Sequence, residues 1–316
     1  MTKKALLAID GGGIRGIIPL CALVALEQQI GKPAREVFSF MSGTSTGAII
    51  VGALAQGMPA AQVLEMYRSI GGKAFQFDLW GFISSLASYR YRSQRLKEIF
   101  EPYLAGVPLN GLPVDIMIPA TRVSDGKLWY FVRDNEANSQ TTGNLKLLDC
   151  VVASAAAPTF FDPWEVPTIG ACVDGGVGVA GNPVYQMCTE AFYYAPEGRY
   201  APENSIIVSL GTGYIDAIAK PANIIDWVHF VVGELLEAPA EQQTAITQRH
   251  FGDRGAVVYR FNPKMPRDIG MDDVKAIPEL IEIGRVLAQG LNWADMLSGL
   301  SSDMRVPARP TRRNLP

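Results

Sequence analysis

Apolar positions along the chain fall into short runs that switch between two periods. Residues 4–9, with the apolar run Ala5 to Ile9, end at Asp10 and a glycine cluster and read as a buried strand. From Ile17 to Ile30 the spacing becomes helical, with Leu20, Leu23, Val24 and Ile30 on one side. Pro19 falls in the first turn, where its missing N–H costs nothing. A second glycine-flanked turn at 43–47 opens a helix of small residues through Ala55, closed by Gly57. Helical patterns follow at 60–70 and 93–104. Residues 114–120 and 127–132 are rich in β-formers and flank Ser124-Asp125-Gly126, a hairpin signal. Leu145 to Ala156 reads as a helix stopped before Pro158. Short apolar strands at 171–173, 205–210 and 256–261 come with helical patterns between and after them.

Strands alternating with helices predict an α/β fold, a three-layer α/β/α arrangement around a mostly parallel central sheet. No internal repeat is visible. The expected organisation is one domain over residues 1–300. Residues 301–316, rich in Pro and Arg, read as a flexible basic tail, with a contact to anionic lipid as the second reading.

Composition narrows the classes. Of 316 residues, 48% are hydrophobic and 19% charged, so the chain can bury a large core. A net charge of −3 gives no electrostatic reason to expect nucleic acid. Cys21, Cys150, Cys172 and Cys188 form no CxxC pair and are expected as reduced, buried thiols. With only His229 and His250 available, no metal site and no cofactor are expected. The N-terminal apolar run is too short for a signal-peptide core, and no apolar stretch reaches the ~20 residues that span a bilayer. The expectation is a soluble cytoplasmic protein that meets membrane only at a surface, at the inner face.

Two glycine turns carry candidate chemistry. Asp10-Gly11-Gly12-Gly13-Ile14-Arg15-Gly16 follows a strand and opens a helix. It contains GxGxxG, but the dinucleotide fingerprint also needs an acidic residue ending a second strand. Glu36 has the right distance, yet the residues before it read as a helix and a turn, with no second strand to carry it. Glycines let backbone N–H groups converge, and the helix N-terminus adds positive potential. Such a nest suits a plain tight turn, a phosphate, or the oxyanion of an acyl intermediate. Gly43-Thr44-Ser45-Thr46-Gly47 is a GxSxG match, in which Gly43 and Gly47 let a sharp turn push the Ser45 hydroxyl into the open.

The serine needs a base. His229 lies inside an amphipathic helical pattern and His250 at the end of another, so neither is placed on a presenting loop. A carboxylate is therefore expected. Asp174-Gly175-Gly176 supplies one at a strand end, where a dry pocket raises its basicity.

A DGGGxRG loop, then GTSTG, then DGG, in that order, resembles the pattern of patatin-like phospholipases. The likeness extends to Ala153-Ser154-Ala155-Ala156-Ala157-Pro158-Thr159-Phe160-Phe161, to Gly181-Asn182-Pro183 and to Leu210-Gly211-Thr212-Gly213. It is strong over residues 5–213 and looser through 259–287. The resemblance implies a serine–aspartate dyad: Ser45 attacks an ester carbonyl, Asp174 takes its proton, and the Gly11, Gly12 and Gly13 amides hold the oxyanion. Arg15 has two readings, added positive potential at the anionic centre or pairing with a carboxylate. The implied substrate is a membrane lipid, and some bacterial relatives are lipases activated by cyclic nucleotides, so a small-molecule activator is a possible partner.

Two rival readings stand beside the hydrolase: an acyltransferase or thioesterase using the same dyad, and a silent phosphate- or nucleotide-binding module. Residues 75–91, with Phe75, Phe77, Trp80 and Phe82 among them, read either as core or as an interfacial lid over an acyl path.

Overall fold

A computed structural model describes residues 3–74, 92–104, 106–135, 142–158, 160–215 and 239–298. The aromatic segment 75–91, His229 and the tail 301–316 lie outside them.

Eight strands form one mixed sheet: β1 (Lys4–Ile9), β2 (Phe38–Gly43), β3 (Asp115–Arg122), β4 (Leu128–Val132), β5 (Trp164–Val166), β6 (Gly170–Asp174), β7 (Ser205–Leu210) and β8 (Val257–Phe261). The order is β5-β6-β3-β2-β1-β7-β8, with β4 paired to β3 off this path. The run β3-β2-β1-β7-β8 is parallel, and β4, β5 and β6 add antiparallel pairs at one end. The expected parallel sheet is present with a mixed edge.

Helices cover both faces. Leu7 and Ile9 of β1 point into a large core with α1 (Ile17–Ile30), α2 (Thr46–Gln56), α3 (Ala60–Ala74), α4 (Ser93–Leu104), α5 (Leu147–Ala155) and α8 (Ile277–Gln289). The alternate residues Leu6 and Ala8 point into a smaller core with α6 (Val184–Thr189) and Phe251, which ends the helix α7 over residues 239–251. Period-two alternation with both faces buried explains why β1 reads as a continuous apolar run. Residues 13–30 are long and apolar enough to cross a bilayer by length and composition, but most of them are buried inside the fold. The described cysteines are all free thiols.

One expectation fails here. Residues 38–43 form β2, which pairs parallel with both β1 and β3, so a second strand does follow the glycine loop. Its polar positions are buried serines whose hydroxyls are satisfied. Ser39 Oγ donates to the Ala5 carbonyl at 3.2 Å and Ser42 Oγ to the Met117 carbonyl at 2.9 Å. Glu36 precedes this strand rather than ending it, so the dinucleotide fingerprint still lacks its acidic residue.

Register places the functional loops. Ile9 lies beside Gly43 on one side and Leu210 on the other. The loops that follow these three strand ends therefore emerge side by side. β3 brings in the fourth element. β4 occupies one of its edges, and the other is shared, with β2 paired at Asp115–Met117 and β6 at Ala120–Arg122. The end of β2 and Asp174, opposite Ala120, are thus neighbours along a single edge.

Candidate active site

The elbow after β2 is tightly built. Ser45 has φ 56° and ψ −120°, a conformation few residues other than glycine adopt. The flanking glycines allow it, because a Cβ on Gly43 would sit 2.2 Å from the Gly47 carbonyl group, and one on Gly47 would sit 2.3 Å from the Ile9 oxygen. Thr44 is fully buried and donates to the Ala180 carbonyl at 2.5 Å. The Ser45 N–H donates to Ser154 Oγ at 3.1 Å. Beyond the serine, the Tyr67 hydroxyl hydrogen-bonds both the Thr46 side chain and, at 3.1 Å, its carbonyl.

The glycine loop lies against this elbow. A Cβ on Gly11 would fall 3.3 Å from the Ser45 Cβ. Its backbone is pinned from three sides. The Gly11 N–H donates to the Gly181 carbonyl at 2.9 Å, Thr212 Oγ1 donates to the Gly11 carbonyl at 2.7 Å, and the Ile14 N–H donates to the Met271 carbonyl at 2.8 Å. The Gly11 amide is therefore already engaged, contrary to the expectation that all three glycine amides stand ready for an oxyanion. Gly12 and Gly13 both face the cavity. Because the peptide joining Gly11 to Gly12 is trans, the Gly12 N–H points away from Thr212.

Asp174 is 4% exposed and lines the same cavity as Ser45. Its Oδ1 also accepts from the Gly176 N–H at 2.8 Å, an Asx-type turn that the glycine pair permits. Gly175 packs onto β3, where a Cβ would lie 2.4 Å from the Pro119 carbonyl. Burial pushes the Asp174 carboxyl up to about 6, and the bonds from Ser45 and Gly176 only partly offset that.

Ser45, Asp174, Gly11, Gly12, Gly13, Arg15 and Gly176 line one cavity of about 990 Å³, counting its open mouth. The rest of its wall is largely apolar, with Ile49, Met66, Leu96, Phe100, Phe161 and Met271 among the lining residues. Such a wall suits a hydrocarbon chain. Arg15 is 3% exposed and turns back on its own loop, its Nε reaching the Gly12 carbonyl at 3.5 Å.

The chain belongs to the patatin-like phospholipase family. The model of that family matches residues 7–187, from β1 through the DGG turn. Over 201 residues the chain is 30% identical to a cGAMP-activated phospholipase of Escherichia coli, covering 60% of this chain and 56% of the relative. Over 342 residues it is 28% identical to a cGAMP-activated phospholipase of Vibrio cholerae, covering 96% and 95%. The chain spans about half the length of the Escherichia coli and Pseudomonas aeruginosa relatives. VipD from Legionella pneumophila shares the fold, with a TM-score of 0.50 at 13% identity over 94% of this chain and 67% of that one.

Several further contacts that build the site could not be read from the sequence motifs. Arg260 on β8 pairs with Asp10, just ahead of the patatin-like glycine loop. Asn182 of the Asn-Pro pair is fully buried; it donates to the Ala240 carbonyl and Thr244 Oγ1, and accepts from the Val184 N–H and Ser209 Oγ. His250 contacts the Tyr185 hydroxyl at 3.1 Å and stacks on Phe251, the structural role expected of it.

Proposed function

We propose that this chain is a lipid acyl hydrolase of the phospholipase A or lysophospholipase type, acting through an acyl-serine intermediate. Ser45 Oγ attacks the ester carbonyl as its proton passes to Asp174. The Gly12 and Gly13 amides receive the negative charge that develops on the carbonyl oxygen, where one such donor typically contributes ~10²–10³ in rate. Arg15 adds positive potential to that loop. The protonated Asp174 gives its proton to the departing alcohol, and water, deprotonated by the same carboxylate, then releases the acid. The acyl chain lies along the apolar wall. No metal and no cofactor take part in this scheme.

The observation that carries the reading is that Ser45, on its strained elbow, and a buried Asp174 line one largely apolar cavity. Residues 1–300 act as one catalytic unit in this proposal. The protein works in the cytoplasm at the inner membrane face, with Val177 and Val179 as points of lipid contact. Both are exposed on the turn between Gly176 and Gly181, which line the cavity. A small cyclic nucleotide serves as activator, in keeping with the cGAMP-activated relatives.

A fluorophosphonate probe labels the wild-type protein and fails to label Ser45→Ala. Phospholipid vesicles release fatty acid with the wild type, faster on addition of cGAMP. Equal labelling of Ser45→Ala overturns the nucleophile assignment, and no response to a panel of cyclic nucleotides removes the activator.

A further inference from the structure

We propose that Ser154 is a positioning residue that holds Ser45 in register with Asp174. The proposal rests on the dyad assigned above. Ser154 interrupts the alanine run 153–157 near the end of α5 and is fully buried. Its hydroxyl accepts from the Ser45 N–H at 3.1 Å and donates to the Pro119 carbonyl at 2.6 Å. Both roles are forced, because an amide N–H can only donate and a carbonyl can only accept. The hydroxyl therefore has one orientation, with its proton on β3 and its lone pair on the elbow.

Two residues later, the Ala156 carbonyl accepts from the Asp174 N–H at 3.0 Å. The stretch 154–156 thus touches the backbone of both dyad members, and Ala155 and Ala157 on either side line the cavity. Ser45 occupies a backbone region that ordinary residues avoid, which persists only where surrounding contacts over-determine it. The bond from its own N–H is one such contact, and it sets the plane of the peptide that aims the side chain. If Ser154 served only to fill space, its hydroxyl would be satisfied by Pro119 alone.

The test combines kcat, KM and the pH profile on a soluble ester for Ser154→Ala, Ser154→Cys and Ser154→Thr, with near-ultraviolet circular dichroism as the check on folding. Ser154→Ala is expected to lower kcat on the order of 10²-fold with KM unchanged, as a misplacement of reacting groups does. The acid limb of kcat should also move to higher pH. The Ser45 hydrogen bond holds the Asp174 carboxyl down, so loosening it lets the carboxyl rise. Ionisable groups on the surrounding elements include Asp115 and Arg122 on β3, Glu165 on β5, Cys172 on β6, Asp149 and Cys150 on α5, Lys97 on α4, Tyr67 on α3, and Asp10 and Arg15 at the glycine loop. These are identical in every variant, so a shift between variants reports on the Ser45 contact.

Ser154→Thr retains the hydroxyl and should recover most of kcat and the original limb. Ser154→Cys, a weaker donor and acceptor, should fall between, and it decides the matter if the alanine variant does not fold. A folded Ser154→Ala, or failing that Ser154→Cys, with unchanged kcat and limb overturns the proposal. So does a kcat loss with no shift of the limb and no recovery in Ser154→Thr. Normal turnover by Ser45→Ala would instead sink the dyad itself, a distinct outcome.

Discussion

Arg260 closes two parallel hydrogen bonds onto Asp10, Nη1 to Oδ1 at 2.9 Å and Nη2 to Oδ2 at 2.7 Å, at the start of the glycine loop that lies against Ser45. The same guanidinium reaches Ser209 Oγ and Glu241, tying β8 and α7 to the end of β1. Both members of the pair are almost wholly buried. Removing one partner of a buried pair strands the other charge, at about 3–5 kcal/mol. Arg260→Met should therefore lose stability of that order in urea unfolding. Adding Asp10→Asn to it should recover a large part, because no buried unpaired carboxylate remains; Glu241, the other partner of Arg260, is exposed to solvent. If the double variant is no more stable than Arg260→Met, the pair does not set the stability of this region.

Activity should follow the ionisation of Asp174. A base must be deprotonated to accept the serine proton, and burial lifts this carboxyl to about 6. The expected profile of kcat/KM on a soluble ester rises tenfold per pH unit below that value and flattens above it. A limb centred near pH 4 would mean that the working carboxyl is an ordinary solvated one.

The same shift has an opposite effect on folding. The folded-state value of Asp174 lies above its ordinary value of 3.8, so the folded protein holds this proton more tightly than the unfolded chain. The stabilisation that protonation gives is complete below about pH 4 and is lost as pH rises through about 6. Asp174→Asn, which never ionises, should thus be more stable than the wild type at pH 8, on the order of 2–3 kcal/mol. The gain should fade as pH falls toward 4. Denaturant melts at the two pH values measure it, and a pH-independent difference would contradict the linkage.

Thr212 offers a test of the oxyanion loop. Its hydroxyl fixes the Gly11 carbonyl and thereby the facing of the Gly12 N–H. Thr212→Val keeps the shape and removes the bond. The expected loss is in kcat, about tenfold or more but less than deleting an oxyanion donor outright, with KM little changed. Thr212→Ser should stay close to the wild type. A raised KM with normal kcat would assign Thr212 to substrate binding instead.

The turns that build the candidate site were the most legible part of this sequence, and the reason is steric. Gly43 and Gly47 leave no room for a Cβ, so the elbow needs glycine at both positions and shows up as a motif. Asp174 was legible because Gly175 and Gly176 mark the turn that presents it. β2 was not, because Ser39 and Ser42 break its apolar pattern while being buried and hydrogen-bonded across strands. Arg260 was invisible for a related reason: its partners are distant in the chain, and nothing local distinguishes it from a surface arginine. Ser154 stands in the family-like alanine run, but its contact with Ser45 could not be read there. Gly11 is the reverse case, since its motif was plain but the Gly181 carbonyl had already claimed its amide.

Because β2 and β6 divide a single side of β3 between them, that strand acts as a ruler for the spacing of Ser45 and Asp174. Deleting one residue between Met117 and Ala120 would leave both neighbours able to pair. It would nonetheless rotate the carboxylate to the opposite surface of the sheet, since side chains alternate with every step. Length in this short piece of backbone should be as intolerant of change as Ser45 itself, although none of its residues lines the cavity.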